Sequence, residues 1–236
     1  MTVAEFAAFV GAAAWIPQIV SWQYRRAETP RVSIIASNLI ELGYTRFGPI
    51  FNVTLAVAAS RKDAIIDRLQ VLLRHEDGES HTMLWQGLQE TISEVTNLQG
   101  DPAVVQRQQP AIALKVPTVP LVDNFARFQE SAFHDHRQEA LARKELDGLL
   151  EYFRSACWLR PGRYTATFSI GSPVRVRLQL ASYSFALTSQ DVEILQGNVD
   201  NVREYFVDVL SGFEQSERTP KVIPWGWADA ALEPIT

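Results

Sequence analysis

Histidines, one cysteine and a few close-set carboxylates are the side chains of this sequence with chemistry to offer. His134-Asp135-His136 is the tightest grouping. It could seed a divalent-metal site, but such a site needs further ligands brought in by the fold. A surface histidine pair is the commoner meaning of the pattern. His75 and His81 flank Glu76-Asp77-Gly78-Glu79 and could face each other across it. A calcium loop would need a longer patterned run of oxygen ligands, so these carboxylates read as a solvated turn. Cys157, the single cysteine, falls on an apolar helix face and reads as a buried, inert thiol. Asn52-Val53-Thr54 fits a glycosylation acceptor but lies inside a strand pattern. No phosphate-binding glycine loop, nucleophile elbow or Cys-x-x-Cys pair is present. The sequence therefore nominates no catalytic residue and no cofactor. His134 and His136 stand as the candidates for a metal-binding or hydrolytic alternative.

The elements that would position these groups are mostly strands. Ile50 to Ala58 alternates, with Phe51, Val53, Leu55 and Val57 on one face. Arg31 to Tyr44 and Ala64 to His75 are also extended. Asp77-Gly78 marks a hairpin whose return strand begins at Ser80. Gly87 to Gln109 is polar and reads as a loop with a short strand or turn. Pro117 and Pro120 interrupt a further extended segment and suggest an edge.

Two stretches change period. Leu146, Leu149, Leu150, Phe153 and Cys157 follow helical spacing and predict an amphipathic helix near 138–158. Thr188 to Asp191 has the form of a capping box, and Leu195, Val199, Val202, Phe206 and Leu210 continue it as a helix over 189–210, closed by Gly212. Strands resume between the helices at Arg163 to Ile170 and Val174 to Leu187. Trp225 and Trp227 in the tail are expected to pack back on the domain.

Phe6 to Trp22 contains no ionisable residue and is followed by Tyr24, Arg25 and Arg26. Seventeen uncharged residues lie at the lower edge of what spans a bilayer. Phe6, Phe9, Trp15, Ile16, Ile19, Val20 and Trp22 would be the anchor residues. The arginine flank, with Arg31, would put the domain on the cytoplasmic side of the cell's inner membrane as a single-pass protein. Two other readings stand beside this one. A cleaved signal peptide lacks its basic n-region here. A helix packed into a soluble binding domain would be broken near Pro17.

Composition agrees with a folded chain: 47% hydrophobic and 21% charged residues. A net charge of −5 argues against a nucleic-acid-binding surface as the main business. A lone cysteine excludes an internal disulfide framework and agrees with a reducing compartment.

Pro161-Gly162-Arg163-Tyr164 and the strand behind it are similar to the penultimate strand of immunoglobulin-like sandwiches. The resemblance implies that Gly162 and Tyr164 are structural, with the Tyr164 hydroxyl closing a tyrosine corner. That family's cysteine two residues on is Ala166 here. The segments W-I-P-Q-I, E-L-G-Y with F-G-P-I, and L-L-E-Y-F leading to P-G-R-Y resemble those of uncharacterised bacterial proteins. Those carry one N-terminal anchor and an immunoglobulin-like cytoplasmic domain, and no activity comes with the likeness.

The expectation is thus a mainly β chain. Residues 1–27 form a membrane-anchor helix. Residues 31–236 form an immunoglobulin-like antiparallel β-sandwich with two added amphipathic helices. The function expected is that of a membrane-tethered, non-enzymatic module for a protein partner, with the membrane as its other partner and no nucleic acid.

Overall fold

In a computed structural model, the described residues are 15–23, 28–96, 102–110, 113–116, 118, 123–143, 146–179, 181–210 and 225–235. Strands dominate. In chain order they begin with β1 (Arg31–Thr45), β2 (Gly48–Ser60), β3 (Ala64–Ile66), β4 (Arg68–His75) and β5 (Ser80–Thr96). β6 (Pro102–Pro110), β7 (Leu114–Val116) and β8 (Asp123–Gln129) follow. After two helices come β9 (Gly162–Gly171), β10 (Arg177–Gln179) and β11 (Ala181–Leu187), and last β12 (Trp227–Ala231) and β13 (Glu233–Pro234). Helix α1 covers 15–23, and α2 (Ser131–Arg143), α3 (Leu146–Ser155) and α4 (Ser189–Leu210) complete the set.

The mainly β expectation holds, but the strands do not divide into two facing sheets. Eleven of them form one continuous sheet, in the order β10-β1-β2-β8-β5-β4-β9-β11-β13, with β12 on β1 and β6 on β5. β3 and β7 pair separately. The large sheet curls until its ends meet. β12 runs antiparallel to the second half of β1, Ile40 opposite Ala230, while β13 pairs with β11. β1 changes neighbours at a register shift between Ala36 and Ile40. An extra-residue irregularity of this kind bends a strand and increases its twist, which suits closure. At that point Leu232 N donates to Asn38 O (2.9 Å), and Ala36 N donates to the Tyr183 hydroxyl (3.1 Å).

Alternation places the apolar side chains inside the curl. Phe51 meets Phe128, Phe168 and Phe185 at centroid distances of 6.0–6.3 Å, and Tyr164 stacks on Phe185. β2 is buried on its second face too: Ile50 and Asn52 are each 1% exposed. The Asn52 carboxamide donates to Glu41 (3.3 Å) and accepts from Arg127 (3.2 Å), its register neighbours on β1 and β8. Asn52 is thus held in the sheet and is no glycosylation site.

Two local expectations change. The helix expected near 138–158 is two helices, α2 beginning at Ser131 and α3 ending at Ser155. Phe133 and Ala140 anchor α2, and Leu149, Leu150 and Phe153 anchor α3. Only α3 had a clear apolar stripe to read. Within Gly87 to Gln109 the described residues 87–96 and 102–109 are paired strand, with Gly87 opposite Pro110. Their polar composition concealed the pairing. The opening stretch is described only over residues 15–23. Among the described residues no helix is long and apolar enough to cross a membrane. Phe6 and Phe9 lie outside the described residues, as does Gly212.

α4 fits its expected span, and its cap is reciprocal. Asp191 N donates to the Thr188 hydroxyl (3.2 Å), while the Asp191 carboxylate accepts from Thr188 N (2.8 Å). Its inner face carries Leu195, Val202 and Phe206, fully buried, with Asn198 among them. Asn198 donates to Gly226 O (2.7 Å) and accepts from Gly226 N (2.8 Å), pinning the tail. Trp225 packs against the core, and Trp227 lies over Gly43, where a Cβ would fall 2.4 Å from the indole.

Candidate functional site

The histidines flanking the Asp77-Gly78 turn bond to different partners. They enter one polar cluster from the same face of the hairpin, His81 opposite Leu73 and His75 two residues further along β4, where the β4–β5 hairpin meets the end of β8 and the segment entering β9. Gly78 takes φ +100° to close the hairpin. Alternation on β5 turns Glu79 and His81 to the same side.

His81 lies flat on Trp158, ring centroids 3.9 Å apart and 3° from parallel. Its Nδ1 is 3.0 Å from Glu130 Oε1 and its Nε2 3.1 Å from Glu79 Oε1. Both partners are carboxylates and accept only. A neutral ring has one N–H and donates to one of them. Trp158 Nε1 also donates to Glu130 Oε1 (2.9 Å). Arg160 then bridges Asp77 and Glu79 on the hairpin, the latter at 2.7 Å. Asp77 accepts in addition from the Glu79 backbone N–H (3.0 Å). That backbone bond first, then His75, and the charge of Arg160, hold the Asp77 carboxyl below its usual range.

His75 is a buried member of the cluster. Its Nδ1 is 2.9 Å from Asp77 Oδ1 and its Nε2 3.3 Å from Pro161 O. Gly162 at φ +137° passes against it, where a Cβ would lie 2.4 Å from His75 Nε2. Only glycine combines that backbone with that contact. Tyr164 closes the corner: its hydroxyl donates to Arg160 O (3.0 Å) and accepts from Arg160 N (2.9 Å). This is the local geometry that the immunoglobulin resemblance attached to Gly162 and Tyr164.

The space among Leu73, His75, Glu79, His81, Trp158 and Arg160 admits no water molecule. The cluster clamps the hairpin to the end of β8 and the segment entering β9. Glu130, Trp158 and Arg160 were not legible as partners, because they reach His81 from distant parts of the chain. The alternation of Glu79 with His81 was the one available signal.

The other nominated residues do not gather. His134 and His136 both lie on α2, two residues apart. His136 lies against Tyr152, centroids 3.8 Å apart. No group of three potential metal ligands forms among the described residues. Cys157 is part-buried, and burial pushes its thiol up to about 12, so it is protonated and unreactive at neutral pH.

α1 is the second candidate. Trp15, Ile16, Ile19, Val20 and Trp22 are 51–63% exposed. At 100° per residue they fall on one side of the helix, which Gln23 shares, with Pro17, Gln18 and Ser21 on the other. None of the five belongs to the apolar core or the residues packed on it. A helix plugging the domain's own core is therefore not what residues 15–23 form.

No protein-family model matches this chain, and no curated protein or solved structure matches it either.

Proposed function

We propose that this chain is a membrane-tethered, non-enzymatic interaction module. Its curled β domain is held at a bilayer by the segment containing α1 and faces a protein partner on the cytoplasmic side. The observation that carries the reading is the one-sided apolar face of α1. Large apolar side chains gathered on an exposed surface mark an interaction site. An amphipathic helix with tryptophans at its ends suits the boundary between headgroups and acyl chains. The domain completes its core without α1, whose first buried core residue is Val32. Arg25 and Arg26, directly after the helix, favour a cytoplasmic, anionic surface.

Flotation of the full chain with phosphatidylcholine vesicles tests this, alongside an Ile16→Asp/Ile19→Asp variant. The wild type is expected to float and the variant to remain behind, folded. Alkaline extraction then separates a spanning segment, which is retained, from an interfacial helix, which is released. A wild type that stays in solution with every vesicle would end the membrane reading.

A further inference from the structure

Away from the hairpin cluster, the outer face of the sheet carries a pair of arginines that nothing described neutralises. β10 runs parallel to the start of β1 and sets Arg31 opposite Arg177 and Ser33 opposite Gln179. Neighbouring strands lie about 4.8 Å apart, and paired residues project to the same side. Val32 and Leu178 turn inward, leaving both arginines exposed. Across the other edge of β1, Ser60 is the register partner of Arg31. Arg31, Ser33, Ser60, Arg177 and Gln179 line a concave site of about 450 Å³.

Like charges on paired strand positions repel. Some described cations have counter-charges: Arg61 pairs with Glu28 (3.6 Å) and Lys115 with Asp63 (3.3 Å). Arg31 and Arg177 have no side-chain partner among the described residues. In a chain of net charge −5, an unneutralised pair backed by hydroxyls and an amide stands out. Two guanidinium forks match the oxygens of a tetrahedral anion, each by paired N–H donors. The Ser60 hydroxyl is only loosely held, 3.5 Å from Arg31 O, and is available as a further donor.

We propose that this concave site binds a phosphate group, gripped between Arg31 and Arg177. The group can come from a lipid headgroup or from a soluble phosphomonoester. The lipid source rests on the membrane reading above; the phosphate chemistry does not. β1 begins a few residues after Arg25 and Arg26, so a bilayer reached by α1 would lie within range of this face.

The full chain, wild type and Arg31→Gln/Arg177→Gln, would be compared in two ways. In neutral detergent micelles, glycerol 3-phosphate is titrated calorimetrically. In flotation, phosphatidylcholine vesicles are compared with a phosphatidylcholine–phosphatidylglycerol mixture. Loss of roughly tenfold to thirtyfold in affinity is expected for removing two such cations. A loss confined to glycerol 3-phosphate identifies a soluble ligand; a loss of preference for the anionic vesicles identifies the lipid. Arg61→Gln, which removes a paired arginine nearby, is expected to leave both readouts unchanged. The proposal is overturned if the double variant equals wild type in both arms, or if Arg61→Gln loses as much. Failure of every protein to bind neutral vesicles would count against the membrane reading alone, and the glycerol 3-phosphate arm would still decide the site.

Discussion

At the scale of single residues, His81 is worth more than its position on a turn suggested. Its two ring nitrogens lie within hydrogen-bond reach of carboxylates, and its face stacks on Trp158. His81→Phe would keep the stack and lose the hydrogen bonding. Glu79 is half exposed and regains water, so the loss is expected at about 1–2 kcal/mol. In a chain of this size that lowers the melting temperature by roughly 2–4 °C per kcal/mol. No change in melting would mean that the clamp is not a stabilising unit. Asp77 makes the acid limb predictable. Its folded carboxyl lies below its usual value. Its contribution is therefore complete above the unfolded-state value of about 3.9 and fades as pH falls through the depressed range. Asp77→Asn is expected to remove that dependence, read from the Glu79 amide resonance in an acid titration.

At the scale of elements, the tail depends on one side chain of α4. Asn198 imitates a backbone partner for Gly226, donating and accepting at once. Asn198→Ala would leave both groups of Gly226 without this partner in a part-buried place. A destabilisation of about 2–4 kcal/mol is expected in urea unfolding, since each unpartnered group costs on the order of 1–3 kcal/mol. The stripe of Leu195, Val202 and Phe206 was legible in α4, and so was its Thr188 cap. Asn198 was not, because a polar residue inside an apolar stripe announces no partner until the tail folds over it. The same limit explains the β5–β6 pairing. Strand pairing needs only backbone groups, and the glutamines of Gln106, Gln108 and Gln109 gave no apolar alternation to read.

At the scale of the whole molecule, the sequence made the antiparallel, mainly β character plain through alternation on β2, β4 and β9. It did not reveal that the sheet meets itself. Closure rests on β12 and β13, and Ala228 and Ala230 are too small to mark a strand by pattern. Gly43 is the position that permits it, since the Trp227 indole occupies the space a side chain would need. Gly43→Val is expected to displace the indole and cost about 1–3 kcal/mol, as overfilled packing does. Red-shifted, more quenchable tryptophan emission would report it, and an unchanged spectrum would contradict the role given to Gly43.

The joining of β1 to β12 also fixes an order of events in time. Ile40 and Ala230 are register partners although some 190 residues lie between them, and contacts of such sequence separation form slowly. Until β12 arrives, the second half of β1 presents unpaired backbone groups along an open edge. Such edges recruit strands from other molecules. Refolding should accordingly show a late phase in tryptophan emission, with aggregation that grows with protein concentration before that phase and ceases after it.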